Sequence, residues 1–246
     1  MKDRHTNQPS SASALRSPLA VILLTLLFSA LVGQATGANS NPSVLPINST
    51  PYGKTYGQWS AEWWKWAFSL PVDQNPYFDE GGCQHGANGQ SGPVWFLTGV
   101  VNVSGTAERT CSVPAGKALF FPLLNVECST VEGNGATEAE LRNCTDFYMN
   151  LVTDLFCEVD GVPVKDLQSY RAASSLFNFG PLPDNNVLEY FGIDAPQGTI
   201  SASVADGFYL MLTPLRSGQH TIRFGGTFGD PINFTLDITY HLTVNP

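Results

Sequence analysis

Near its C-terminus the chain admits one reading of the backbone. Phe234, Leu236, Ile238, Tyr240, Leu242 and Val244 alternate without interruption with Thr235, Asp237, Thr239, His241 and Thr243. A period of two puts all the apolar residues on one face of a strand, whereas a helix would scatter them round its axis. The chain must therefore build a sheet with one dry and one wet face. Upstream, TISASV, GFYLMLT and GQHTIRFGG read as further short strands, as does VWFLTGVVNV. TCSVPAGKALFFPLLNVEC reads as two strands about a Pro-Ala-Gly turn, and LFCEVDGVPV as a hairpin turning at Asp160-Gly161. Residues 166–198, rich in Pro and Asn, read as loops with one short strand. Many short strands at such spacing predict a mainly β fold, a β-sandwich of Ig-like or jelly-roll kind.

Two helices interrupt this pattern. YGKTYGQWSAEWWKWAFSLP, residues 52–71, holds four of the five tryptophans. Thr55 and Gln58 make a capping box, and Pro71 stops the helix. At 100° per residue Tyr56, Trp59, Trp63, Trp66 and Leu70 form one stripe, flanked by Trp64 and Phe68. Gln58, Glu62, Lys65 and Ser69 line the opposite face. Three readings are open: a helix that caps an open end of the sandwich, a sugar-stacking or partner surface, or a membrane-interface helix. The last normally carries several Lys or Arg, and this one has only Lys65. The second helix is expected over 137–152, where TEAE is again a capping box.

The N-terminus has the form of a secretory signal. Lys2, Arg4 and Arg16 precede an apolar run from Leu19 to Val32, and small residues follow, with cleavage expected after Ala35 or Ala38. That leaves residues 39–246 as one domain, long enough to bury a core. Without the first 38 residues the chain holds 9 basic and 20 acidic residues, a net charge of −11. Such a balance disfavours nucleic acid and anionic lipid, and leaves neutral glycans, a cell-surface component or Ca²⁺ as partners. No membrane association is expected beyond the signal segment. Export, whether secreted, periplasmic or extracellular, makes disulfides expected among the five cysteines. Fifteen arrangements of two bridges are open; Cys83–Cys111 and Cys128–Cys144 are preferred, with Cys157 left as a buried thiol. Sequons stand at Asn48, Asn102, Asn143 and Asn233.

The aromatic segment, GPVWFL, CSVPAGKALFFPLLNVEC, GQHTIRFGG and LDITYHLTV together resemble a group of exported, mostly bacterial proteins. The resemblance covers most of residues 39–246. It implies an exported single β-sandwich domain and carries over no catalytic residue.

Four constellations are candidates for chemistry. Trp59, Trp63, Trp64 and Trp66 supply aromatic faces for a ligand, with Trp64, on the flank, the best placed for an exposed contact. In the long loop PVDQNPYFDEGGCQHG, Asp73, Asn75, Asp79 and Glu80 are hard oxygen donors of the kind Ca²⁺ takes, although their spacing is not that of an EF-hand. Asn125, Glu127 and Glu132 follow a strongly apolar strand, where a carboxyl is expected to be partly buried with a raised pKa. Paired with Glu62 or Asp79, Glu127 would make a two-carboxylate site. Of the histidines, His85 reads as a polar loop residue and His241 as solvated, while His220 sits at a strand start. No GxSxG, HExxH, P-loop or GxGxxG is present. The leading expectation is an exported non-catalytic binding or surface protein, with glycans as a ligand class. An exported glycan hydrolase or lyase and a structural envelope component are the alternatives.

Overall fold

The computed structural model describes residues 43–101 and 104–246, so the signal segment and the Asn102 sequon lie outside the described residues. The described chain is mainly β, with two mixed five-stranded sheets and three helices. Ten strands are formed: β1 (Val94–Phe96), β2 (Gly105–Pro114), β3 (Ala118–Ser129), β4 (Val152–Val159), β5 (Val162–Pro163), β6 (Arg171–Ala173), β7 (Phe177–Phe179), β8 (Ser201–Leu212), β9 (Gly218–Phe228) and β10 (Phe234–Asn245). The helices are α1 (Tyr56–Phe68), α2 (Glu138–Met149) and α3 (Val187–Tyr190).

One sheet runs β2-β10-β9-β4-β5 and the other β1-β3-β8-β6, with β7 also on β8. The alternation in β10 does what its pattern requires: Leu236, Ile238, Tyr240, Leu242 and Val244 are buried. β10 pairs antiparallel with β9 and parallel with β2. The β4–β5 hairpin turns at Asp160-Gly161, both with positive φ (52° and 74°), the combination a two-residue hairpin turn needs.

The second sheet is covered on both sides. On one face Phe120 meets Tyr56 and Trp59 of α1. On the other Phe121 lies 4.6 Å, ring to ring, from Phe224 of β9. That is why Ala118–Leu124 is buried without a break and β8 almost so. A strand with two dry faces reads as a continuous apolar run instead of an alternating one. Helix α1 therefore lies across the outer face of this sheet and does not plug an end of the sandwich. A second correction follows: TISASV and GFYLMLT are one strand, β8, continuous through Asp206 and Gly207. The strands flanking Pro-Ala-Gly do not pair with each other; β2 and β3 belong to different sheets. VWFLTGVVNV yields only the three residues of β1, and 166–198 holds two short strands and α3.

Both capping boxes form. Thr55 Oγ1 accepts from Gln58 N and Gln58 Oε1 from Thr55 N, at 3.2 and 2.9 Å; Thr137 and Glu140 repeat the motif. The stripe of α1 is core, and the indole N–H of each of its three tryptophans finds a backbone carbonyl. Trp59 donates to Pro51 O, Trp63 to Leu97 O and Trp66 to Asn88 O, at 2.8–2.9 Å. Cys83–Cys111 and Cys128–Cys144 are bonded, and Cys157 is a buried thiol whose pKa burial pushes up. The first bridge pins the long 72–93 loop to β2, and the second ties α2 to the end of β3. Arg171 links three elements, binding Asp206 of β8 and Asp146 of α2 from β6. Trp63 is wholly buried, so Trp63→Ala is expected to cost about 3–5 kcal/mol, read as a fall in the denaturant midpoint.

Candidate functional site

The sheet covered by α1 has one strand left partly unpaired. β1 accompanies β3 only from Ala118 to Phe120; beyond that point β3 has no neighbour on this side among the described residues. There β3 also bulges: its register with β8 shifts between Pro122 and Leu124. Pro within a strand marks an edge or a bulge, because it has no N–H for the ladder. Beside the bulge lies a cavity of about 270 Å³.

Each wall comes from a different part of the chain. The bulge gives Leu123 and Leu124; Phe228, Phe234 and Leu236 come from β9 and β10 in the facing sheet. Helix α1 contributes Trp64 and Phe68, and the pinned loop contributes Tyr77. Gly99, Val100 and Val101, shortly after β1, and Leu188 and Phe191 at α3 complete the wall. That short helix is set by Asn186, whose Oδ1 caps Leu188 N and Glu189 N while its Nδ2 donates to Ala195 O.

The polar groups lie along one face of β3. After the bulge Asn125, Glu127 and Ser129 share a face, opposite Gly207, Ala205 and Ser203 of β8. Those small partners leave the room: a Cβ on Gly207 would stand 2.6 Å from Asn125 Cβ. Ser203 donates to Glu127, and Ser129 donates to Glu132 at 2.6 Å. Glu127 and Glu132 both line the cavity. Burial first, then the Glu132 charge, drives the Glu127 pKa well above the usual carboxyl range, and the serine hydroxyls offset this only in part. Glu127 is half-buried as a whole residue, and its carboxyl is deeply buried. Two N–H groups at the site, Trp64 Nε1 and Asn125 Nδ2, are buried and have no hydrogen-bond partner among the described residues. Tyr209 Oη is in the same condition. It lies near both but outside hydrogen-bonding geometry.

The structure sorts the residues singled out in the sequence. Trp59, Trp63 and Trp66 are core with bonded N–H groups, so no stacking platform exists there; Trp64 alone of the four lines the cavity. Glu127 is in the cavity, but neither Glu62 nor Asp79 lines it. Glu62 is on the surface between Lys54 and Lys65; its partial burial works to raise the pKa, and the two lysines prevail and lower it. Asp79 turns into its loop and binds His85 through both the ring and the backbone N–H. Asn75 spends its side chain on Ala67 O, Leu70 O and Tyr77 N. Asp73 and Glu80 are exposed. Among the described residues no group of three or more His, Cys, Asp or Glu gathers as a metal site.

Sequence reasoning grouped Asn125, Glu127 and Glu132 correctly but missed Leu188, Phe191 and the bulge. Signals existed: Asn186 with Glu189 three residues on is a helix start, and Pro122 inside an apolar strand points to an edge.

No family model matches the chain, and no curated protein matches it. Among solved structures, the crystal structure of the cysteine protease inhibitor EhICP2 from Entamoeba histolytica is similar over 62% of this chain and 96% of that chain. The identity is 12% and the TM-score 0.23, a likeness that carries no argument.

The raised pKa of Glu127 has a consequence for stability. The folded protein holds a proton that the unfolded chain releases. Below the ordinary carboxyl value of 4.5 both states are protonated and the residue is neutral in effect. As pH rises towards the folded pKa, stability falls, and above it the full penalty stands. Glu127→Gln is therefore expected to raise Tm at pH well above 4.5 and to leave it unchanged below, in paired thermal melts across pH.

Proposed function

We propose that this is an exported, non-catalytic binding protein that holds a small, largely hydrophobic ligand in the cavity beside the β3 bulge. The observation that carries the reading is the cavity itself. It is walled by both sheets and two helices, open to solvent in part and apolar on most sides, with Asn125, Glu127 and Glu132 as its polar lining, the usual make-up of a small-molecule site. Two disulfides accord with an oxidising compartment, and no helix among the described residues is long and apolar enough to cross a membrane. These support the exported part of the reading.

A glycan fits this cavity less well than a hydrophobic molecule. Sugars need many hydrogen-bond partners, and most of the wall offers none. Nor does the two-carboxylate site expected from the sequence form, because neither Glu62 nor Asp79 lines the cavity beside Glu127.

The test is a thermal-shift screen with medium-chain alcohols, amides and acids alongside oligosaccharides. A ligand at about a hundredfold over its Kd adds roughly 2.7 kcal/mol of stability. Hydrophobic compounds are expected to raise Tm, and Val100→Trp, which fills the cavity, is expected to abolish the shift. A shift from oligosaccharides alone would transfer the function to glycan binding. Conversion of any bound compound, seen by mass spectrometry, would make the protein an enzyme.

A further inference from the structure

The open edge of β3 gives a ligand a second feature to meet, an inference that rests on the reading of the cavity as a binding site. Past the bulge, successive residues of β3 turn their backbone groups alternately towards β8 and away from it. The end of the stretch fixes which do which. Thr130 N donates to Ala202 O, so the even-numbered residues bond β8. Ser129 N donates instead to Asn134 Oδ1, and Asn134 N donates back to Ser129 O, on the opposite side. Across the ladder Ala205, the partner of Glu127, donates its N–H to Ser174 Oγ and accepts from Ser174 N, away from β3. The N–H and C=O groups of Asn125 and Glu127 therefore face away from β8, and no strand or loop among the described residues bonds them.

This edge adjoins the cavity. Asn125, Val126 and Glu127 are partly exposed, in a strand buried at every other position. Leu124 and Asn125 follow one another where the register resumes, so their side chains point to opposite faces, yet both line the cavity. The cavity thus reaches β3 along its edge. The free stretch is also short. Leu97 N donating to Phe120 O closes it at one end, where Pro122 has no N–H to offer, and Asn134 closes it at the other. What remains is two residues about 7 Å apart along the strand. That is too little to seat the sheet of a second copy, and it matches residues i and i+2 of one extended peptide.

The lining chooses the side chains of that peptide. A residue paired opposite Asn125 or Glu127 points to the face those two share. Most of the cavity wall is apolar, and since an apolar cavity of about 150 Å³ holds benzene, one of about 270 Å³ seats a single aromatic or large aliphatic side chain. Glu127 and Glu132 are its acidic lining, so Lys or Arg two residues along meets opposite charge and Asp or Glu meets like charge. We propose that β3 takes an extended peptide as an added strand, bonded to the backbone of Asn125 and Glu127, with a large apolar side chain in the cavity and a basic side chain beside Glu127 and Glu132. The hydrophobic ligand is then a side chain carried on that strand.

Amide hydrogen exchange in the full protein, followed by NMR, reads the edge directly. The Asn125 and Glu127 amides are expected to exchange faster than those of Val126 and Cys128, which bond β8, and the blocked peptide acetyl-Thr-Lys-Thr-Phe-Thr-Lys-Thr-amide is expected to slow both. Calorimetry then compares that peptide with altered forms and with hydrocinnamamide, which carries the ring without the strand. N-methylation of the Phe removes the N–H that an antiparallel pairing uses, and N-methylation of its two Thr neighbours removes those a parallel pairing uses. One of these two changes is expected to weaken binding at least about tenfold, ~1.4 kcal/mol, and so is replacement of both Lys by Glu. Edge amides as protected in the free protein as their neighbours, binding indifferent to both N-methylations, or a Glu peptide that binds as tightly overturns the inference. If hydrocinnamamide binds and the peptide binds no more tightly, the inference falls and the binding site stands. Binding of no probe overturns the cavity as a ligand site and the inference with it.

Discussion

The structure depends on covering one sheet from both sides. β3 and β8 carry apolar side chains on both faces, so a single partner layer leaves half of them in water. The facing sheet dries one side, and α1 dries the other. The tryptophans of α1 are the means. They bring large apolar area to a helix of 13 residues, and each buried indole of the stripe has a backbone carbonyl for its N–H. The acceptors, Pro51 O, Leu97 O and Asn88 O, come from three separate segments. The indole hydrogen bonds thus hold the lead-in, the segment after β1 and the 72–93 loop against α1.

The site is a by-product of where this covering stops. β1 ends after Phe96, and α1 ends at Phe68, so the bulged part of β3 is reached by neither over its full length. The space is walled by residues that belong to other tasks. Trp64 and Phe68 are the flank of the packing helix; Tyr77 sits in a loop fastened by Cys83–Cys111 and by Arg109, which holds Tyr77 O and Asp79 O. A cavity lined by well-fixed core residues has a defined shape before any ligand arrives. Preorganisation of this kind lowers the cost of ordering a site on binding.

The carboxyl pair shows why burial and chemistry cannot be separated here. Glu127 stands on a strand whose partners across the ladder are Ala205, Ser203 and Gly207, too small to fill the space beside it. The same smallness that admits the carboxyl strips its water and brings Glu132 against it. The raised pKa and the two serine hydrogen bonds follow from that one arrangement.

The sequence by itself determined what depends on neighbours a few residues apart. The period of β10, both capping boxes, the aromatic stripe of α1 and the Asp160-Gly161 turn are local, and all are present. The two disulfides were among the open arrangements and are the preferred ones. Only the tertiary structure decided which face α1 covers, that β2 and β3 lie in different sheets, and that Glu127 meets Glu132 and not Glu62 or Asp79. The cavity joins positions 64, 77, 123–132, 188–191 and 228–236, and the spacing along the chain does not encode which of these distant segments converge. Apolar runs such as FFPLL say that both faces will be dry; they do not say what dries them.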